Sequence, residues 1–331
     1  MAITIIGAGS WGSAAAWLLG NKGYDVHLWA RDTQLVESFN STHKNPRYLT
    51  DVVFPPQVVA FSSLEQALSN AEAIVLAMPS AAVRDMALRL APHISSGMPV
   101  MLLSKGVERE SGMLLLDVLE QVLGGHDRLV VLSGPNHAEE VARGILSATV
   151  IASSSAATAG FFQDLFSTPV FRVYTSPDVA GVQLCGAAKN IVAIAVGASV
   201  GVGFGDNTTA MIMTRGLAEI SRLVTCLGGD PLTCMGLAGM GDLIATCTSR
   251  YSRNRSFGLA LANGESVGEY ESQTHMVVEG ALACISVTDL ARHHGVDMPI
   301  GTAVRRVIWD GVSLADVIEE LTGRPSKPEF Y

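Results

Sequence analysis

Thr4-Ile5-Ile6-Gly7-Ala8-Gly9-Ser10-Trp11-Gly12, continuing through Ser13 to Leu19, is the stretch that decides the fold. It reads as a short β-branched strand, a glycine turn of the form GxGxxG, and an Ala/Leu-rich helix. Gly7 permits the tight turn, Gly9 lets the backbone come close to a ligand, and Gly12 lets the helix pack on the strand. The helix N-terminus then offers unpaired N–H groups and partial positive charge, which suit the pyrophosphate of a dinucleotide. Spaced glycines alone are a weak signal in a chain with 33 glycines among 331 residues, so the strand before and the helix after carry the specificity.

Working outward, Asp25 to Trp29 reads as a second strand ending about 20 residues past the glycines, where the adenosine ribose lies in this arrangement. A carboxylate there favours NAD, whereas an arginine accommodates the 2′-phosphate of NADP. The chain has Ala30-Arg31-Asp32. Arg31 is read as a phosphate partner and Asp32 as the cap of the next helix, which favours NADP; an exposed loop arginine beside an aspartate is the plainer alternative.

Farther on, short apolar runs recur at Val58 to Phe61, Ala73 to Ala77, Val100 to Leu103, Leu129 to Leu132, Ala148 to Ala152 and Val170 to Val173. Helical patterns separate most of them, at Ser63 to Ser69, Ala81 to Leu90, Met113 to Leu123, Ala138 to Arg143 and Ala156 to Phe166. That alternation predicts an α/β, Rossmann-like doubly wound sheet. Near Pro177 the texture changes to helix only: Val182 to Ser199, Thr209 to Leu227, Ser256 to Ala262, Glu279 to His294, Pro299 to Trp309 and Leu314 to Leu321. Two domains are expected, residues 1–177 for the dinucleotide and an all-α substrate domain over 178–331.

A net charge of −9 argues against a nucleic-acid surface, and an anionic substrate then needs a locally cationic pocket. The five cysteines are odd in number and show no CxxC spacing, which fits reduced thiols and a cytoplasmic protein. No membrane association is expected. The N-terminal apolar run is interrupted by glycines and carries no basic residue before Lys22, and Ile191 to Gly205 is shorter than a bilayer requires. The eight histidines include no HxxxH pair, so no metal site is expected.

In a doubly wound sheet, ligands meet the residues just past the strands. Those are Met78-Pro79-Ser80, Ser104-Lys105-Gly106 and Ser133-Gly134-Pro135-Asn136-His137-Ala138. Turn chemistry explains the Ser, Gly and Pro; it does not explain Lys105. In the helical half, Lys189 is the only ionised side chain between Asp178 and Asp206, set among Ala, Val, Ile and Gly. A lone helical lysine often reaches back to water, but here small apolar residues fill both neighbouring turns. A buried lysine suits proton transfer to or from an alcohol during hydride exchange with a nicotinamide. Bringing a lysine from 10.4 to about 7–8 takes about 4 kcal/mol, which burial and a second cation, Lys105, would supply.

A third constellation runs from Gly239-Met240-Gly241-Asp242 to Arg250-Tyr251-Ser252-Arg253-Asn254-Arg255-Ser256. If Ser252 caps a helix, Arg253 and Asn254 fall in its first turn, where amides and dipole favour an anion such as a phosphate. A solvated basic helix start is the alternative. Asp242 is read either as the partner of a catalytic cation or as a helix cap, and beside Lys189 it would raise the amine's pKa against the effect of burial.

These residues together resemble the NAD(P)-dependent glycerol-3-phosphate dehydrogenases of bacterial type. The likeness runs through GAGSWG, the SKG at Ser104, SGPNHAEEVARG from Ser133, GVQLCGAAKN from Gly181, TRGLAEISRL from Thr214, GLAGMGDLIATCTSRYSRNR from Gly236 and VVEGAL from Val277. By that resemblance the chain interconverts dihydroxyacetone phosphate and sn-glycerol 3-phosphate for phospholipid synthesis, with NADP or NAD, as a homodimer. Lys189 is implied as the proton acceptor, with Lys105, Gly134, Asn136, Asp242, Ser252, Arg253 and Asn254 around the substrate. Gly7, Gly9, Ser10, Trp11, Gly12, Arg31, Lys105, Ala138, Arg253 and Glu279 are implied around the dinucleotide. Two departures stand out: Asn136-His137 replaces the usual Ser/Thr-Phe pair, and Cys185 stands where glycine is common. Reductases of the 6-phosphogluconate or ketopantoate type, and a dinucleotide-binding module without turnover, are the alternatives.

Overall fold

In the computed structural model, residues 1–326, 328 and 329 are described; Lys327, Phe330 and Tyr331, at the far end of the expected second domain, lie outside the described residues. Eight strands form one sheet: β1 (Ala2–Ile6), β2 (Asp25–Trp29), β3 (Val58–Phe61), β4 (Ala71–Leu76), β5 (Val100–Leu102), β6 (Leu129–Ser133), β7 (Ser147–Ala152) and β8 (Phe171–Ser176). Their order is β3-β2-β1-β4-β5-β6-β7-β8. The first six run parallel, and β7 pairs antiparallel with β6, so β7 and β8 point the other way. The reversal was not expected from the sequence, because alternation reports burial and not direction.

Helices α1 (Ser10–Asn21), α2 (Thr33–Thr42), α3 (Leu64–Leu68), α4 (Val83–Leu90), α5 (Leu115–Leu123), α6 (Ala138–Val141) and α7 (Ala156–Phe166) cover the sheet. The central strands β1, β5 and β6 are almost wholly apolar because both faces are buried, whereas the edge strand β8 alternates, with Arg172 and Tyr174 exposed. Strand residues sort by parity: Val75, Met101 and Val130 join one core with α1 and α7, while Ile74, Leu76, Leu102 and Val131 join another with α4 and α5. Of these seven helices α2 was expected only from its cap, Asp32, with no bounds of its own. Leu35, Val36 and Phe39 are its only buried residues, too thin a stripe to stand out against its Thr, Ser and Asn.

After β8 come α8 (Val179–Gly201), α9 (Asp206–Cys226), α10 (Pro231–Met235), α11 (Asp242–Thr248), α12 (Arg253–Ala262), α13 (Val267–Thr274), α14 (Glu279–His293), α15 (Pro299–Trp309) and α16 (Leu314–Thr322). Asp178 caps α8, its carboxylate accepting from the Gly181 N–H at 2.8 Å. α8 is the axis of this half, with apolar residues around its whole circumference, as a fully enclosed helix requires. It is long and apolar enough to cross a membrane, yet 83% of its most apolar window is buried inside the protein. α12 lies directly on it: a methyl on Gly197 would come 2.1 Å from the Arg255 carbonyl oxygen, and one on Gly258 2.2 Å from that of Ile194. α13 has no buried residue, and its start is marked only by the Ser266–Glu269 capping box, so periodicity could not have found it.

Candidate active site

The ends of β1, β4, β5 and β6 open on one side of the sheet. Gly7, at φ 114°, turns the chain so tightly that a β-carbon would lie 2.3 Å from the Ala77 carbonyl oxygen, and one on Gly12 would lie 1.8 Å from that of Gly7. These two glycines close the turn. Gly9 differs, since nothing lies within 4 Å of where its β-carbon would be. It is the N-cap of α1, with an extended backbone and no side chain to occupy the first amides, and no acidic residue stands in the first turn. Open space in front of unfilled helix donors fits a dinucleotide's pyrophosphate. Ser10 and Trp11 are half-buried on this turn, the indole set edge-on against Phe171 at 6.3 Å. Ala138, the first residue of α6, is buried beside it.

At the end of β2, Arg31 is exposed, and Asp32 caps α2, its Oδ1 accepting from the N–H groups of Gln34 at 3.0 Å and Leu35 at 3.3 Å. Capping, the role expected for Asp32, is the one it plays.

The two halves meet at Asp242. Lys189 is 6% exposed, and its ammonium donates to Asp242 Oδ1 and, at 2.6 Å, to Thr246 Oγ1. Lys105 reaches from the end of β5 to donate to Asp242 Oδ2 at 2.6 Å. Ser133, the last residue of β6, sits 3.4 Å from the same oxygen. One buried carboxylate thus holds two ammonium groups, one from each half. Burial pushes the Lys189 amine down to about 8; Asp242 opposes that shift and Lys105 assists it. Burial would raise the Asp242 carboxyl, but Lys105 and Lys189 together outweigh it and hold it below the ordinary aspartate value.

Local sequence makes the arrangement possible. A π-helical turn at Leu237–Gly241 leads into α11, whose first residue is Asp242, and the i, i+4 spacing puts Thr246 on the same face. Gly186 lets α8 lie against the strand ends, since a β-carbon there would come 2.9 Å from Ser133 Oγ and 3.4 Å from the Lys105 stem. Cys185 uses its place instead to touch Cys234, sulfur to sulfur at 3.6 Å. All five cysteines are free thiols.

The remaining expected residues divide. Ser252 caps α12, accepting from the Arg255 N–H at 3.2 Å, which places Arg253 and Asn254 in the first turn. Arg253 is exposed and donates to the Val277 carbonyl at 3.4 Å. Asn254 is buried between helices, donating to Asn190 Oδ1 and accepting from the Gly280 N–H, both at 2.9 Å. The three arginines of this stretch do not converge, because Arg250 turns away to the Tyr251 hydroxyl at 3.0 Å. Glu279 opens α14 and accepts from Ser80 Oγ at 2.8 Å across the cleft; burial raises its carboxyl. Gly134 packs on β7, where a β-carbon would lie 2.8 Å from the Thr149 Cα. The Asn136 amide is committed to Thr149 Oγ1 at 2.9 Å, and His137 reaches the Ala245 carbonyl of α11 at 3.3 Å. The departures at 136 and 137 therefore fasten the strand-end loop to β7 and to the helical half.

Sequence reasoning assigned no role to Thr246, Ser133, Ser80 or Asn190. Spacing could have found Thr246, four residues past Asp242; Ser80 and Ser133 already stand at strand ends and Asn190 directly follows Lys189, but their bonds to Glu279, Asp242 and Asn254 come only from the tertiary fold. Among the described residues no cluster of His, Cys, Asp and Glu is arranged to hold a metal ion.

Two family models cover the chain, described as the N-terminus and the C-terminus of NAD-dependent glycerol-3-phosphate dehydrogenase, over residues 2–159 and 178–319. A glycerol-3-phosphate dehydrogenase [NAD(P)+] from Moorella thermoacetica is 45% identical over 99% of this chain and 97% of its own length. The crystal structure of glycerol-3-phosphate dehydrogenase from Coxiella burnetii, 36% identical, superposes with a TM-score of 0.94 over 98% of this chain and 99% of that one. A ketopantoate reductase structure from Ralstonia eutropha shares the fold alone, at 16% identity and a TM-score of 0.61 over 97% of this chain and all of its own. A lysine pair on one buried aspartate, a glycine turn open to a dinucleotide and matches along almost the whole chain lead to one assignment: this chain belongs to the NAD-dependent glycerol-3-phosphate dehydrogenase family.

Proposed function

We propose that this chain interconverts sn-glycerol 3-phosphate and dihydroxyacetone phosphate, with Lys189 as the proton-transfer group. Residues 1–177 act as the dinucleotide domain and 178–331 as the substrate domain. The bound nicotinamide supplies or accepts the hydride. In reduction, the Lys189 ammonium gives a proton to the oxygen of the ketone carbon as hydride arrives there; in oxidation, the neutral amine takes it back. An amine titrating at about 8 is populated in both forms near neutrality, which suits a reversible reaction. Asp242 keeps the amine aimed and offsets its charge. Lys105 brings a second cation within reach of substrate and dinucleotide, and Gly134 and Asn136 shape the wall beside it. The first turn of α12, with Ser252, Arg253 and Asn254, takes the substrate phosphate.

Around the dinucleotide, Gly7, Gly9 and Gly12 shape the pyrophosphate turn, Ser10, Trp11 and Ala138 flank it, and Arg31 reaches the adenosine end. Arg253 and Glu279 approach it from the helical half. We read the protein as a cytoplasmic homodimer feeding phospholipid synthesis, in line with its free thiols and family.

The observation that carries the proposal is the buried Lys189 amine held by Asp242, whose carboxylate also accepts from Lys105. The test follows reduced-nicotinamide absorbance with dihydroxyacetone phosphate and either NADH or NADPH. Turnover in the unmodified protein, falling about 10²- to 10⁴-fold in Lys189→Met with little change in dinucleotide affinity, is expected. No turnover with either cofactor would overturn it.

A further inference from the structure

The segment between α2 and β3 contains no strand or helix over residues 43–57, yet it is firmly seated. Asn45 is completely buried there. Its Nδ2 donates to the Ala8 carbonyl and to Ser13 Oγ, both at 2.9 Å, so it is bolted to the glycine turn itself. Its Oδ1 accepts from the N–H groups of Arg47 at 3.0 Å and Tyr48 at 3.1 Å. One amide side chain therefore fixes the backbone of residue 47 relative to Gly7–Gly12. Nearby, His43 and Leu49 adopt left-handed conformations at φ 50° and 54°, and the Phe54 N–H closes the segment on the His43 carbonyl at 2.8 Å.

Held this way, the Arg47 guanidinium lies 2.6 Å from Asp32 Oδ2. Asp32 stands at the end of β2, where a bound dinucleotide places its adenosine ribose. A carboxylate there would accept the ribose hydroxyls of NAD and repel a 2′-phosphate. In this chain both of its oxygens are engaged, Oδ1 by the amides of α2 and Oδ2 by Arg47. Arg31 adds a second exposed guanidinium on the adjacent residue.

We propose that Arg47 is a cofactor-specificity residue: it neutralises Asp32 and, with Arg31, receives the 2′-phosphate of a 2′-phosphorylated adenosine cofactor. The inference rests on the dinucleotide-binding reading given above. It makes Arg47 a switch between cofactors, because its loss uncovers a carboxylate that repels a phosphate and accepts hydroxyls. The side chain is 59% exposed, so its truncation leaves the fold intact.

Isothermal titration of the full chain with AMP and with adenosine 2′,5′-bisphosphate, which differ only by the 2′-phosphate, tests this without turnover. The unmodified protein binds the bisphosphate more tightly than AMP. Arg47→Ser weakens the bisphosphate about 10- to 100-fold, the loss expected for one charge-assisted contact, and leaves AMP within twofold or tighter. Adding Asp32→Asn to Arg47→Ser recovers part of the lost bisphosphate affinity. Equal weakening of both ligands would make Arg47 a mere loop anchor and overturn the inference, as would tighter binding of AMP than of the bisphosphate by the unmodified protein. Failure of the unmodified protein to bind either ligand would instead overturn the dinucleotide reading.

Discussion

The two halves of the molecule share one site but prepare it differently. The sheet half offers backbone and space: an open position above Gly9, unfilled helix amides, and the exposed side chain of Arg31. The helical half offers buried side chains already bonded to one another, with Lys189, Asp242, Thr246 and Asn254 all less than a tenth exposed. Ligand groups complete the first half, whereas the second is electrostatically complete without them. Changes at the glycine turn should therefore appear as altered affinity, and changes within the Lys189–Asp242–Thr246 cluster as altered turnover, pH dependence and folding stability.

The sharpest attempt to break this contrast is Asp242→Asn. It leaves Lys105 and Lys189 close together without their shared counter-charge, and removing one partner of a buried pair costs about 3–5 kcal/mol. Urea denaturation should register that loss. Because Asp242 raises the Lys189 pKa, the midpoint of reductive activity, expected at about 8 in the unmodified protein with activity falling as pH rises, should move lower in the variant. An unchanged midpoint would separate Asp242 from the proton-transfer step.

Glu219 asks whether every buried charge in the helical half serves catalysis. Its carboxylate on α9 accepts from the N–H groups of Ile300 at 2.8 Å and Gly301 at 3.2 Å, and burial pushes it up to about 7 from 4.5. The folded protein then keeps a proton that the unfolded chain loses, so stability declines as pH rises from 4.5 to about 7. Glu219→Gln retains the acceptor and should flatten that slope, gaining about 1–3 kcal/mol at pH 8 relative to pH 5 with turnover unaltered. Parallel slopes in the two proteins would show that Glu219 does not titrate in this window.

The smallest effect on folding belongs to the sheet half. Gly9→Ala fits the extended backbone and meets no neighbour, so stability should change by less than about 1 kcal/mol. The added methyl stands where the pyrophosphate approaches, and calorimetry should show dinucleotide affinity falling about tenfold or more. A stability loss comparable to that of Asp242→Asn would erase the contrast between the halves.

Legibility in the sequence follows the same division. The glycine turn, the apolar strands and the long helix around Lys189 could be read because each is a local pattern: GxGxxG, a short β-branched run, a helix apolar on all sides. Asp242 was singled out with its role open, as partner of a cation or as a cap. It begins α11 and also holds two lysines 137 and 53 residues distant in the chain, a convergence no local pattern encodes. The direction of β7 was equally hidden, since a strand reads the same whichever way it pairs. The seat of the segment after α2 depends on Asn45, an ordinary turn residue in sequence and a completely buried one in the fold.

The reversed pair β7 and β8 also sets the height of the amine. Because β8 runs downward, the chain leaves the sheet at the edge remote from the cleft, and α8 must climb back past Ser133 and Lys105. The ten steps from Val179 to Lys189 rise about 15 Å at 1.5 Å each, close to the span of a five-residue strand. The sheet thus serves as a ruler for the helix. Had its last two members followed the others, the same helix would start at the rim and carry its lysine a full strand-length above the chemistry.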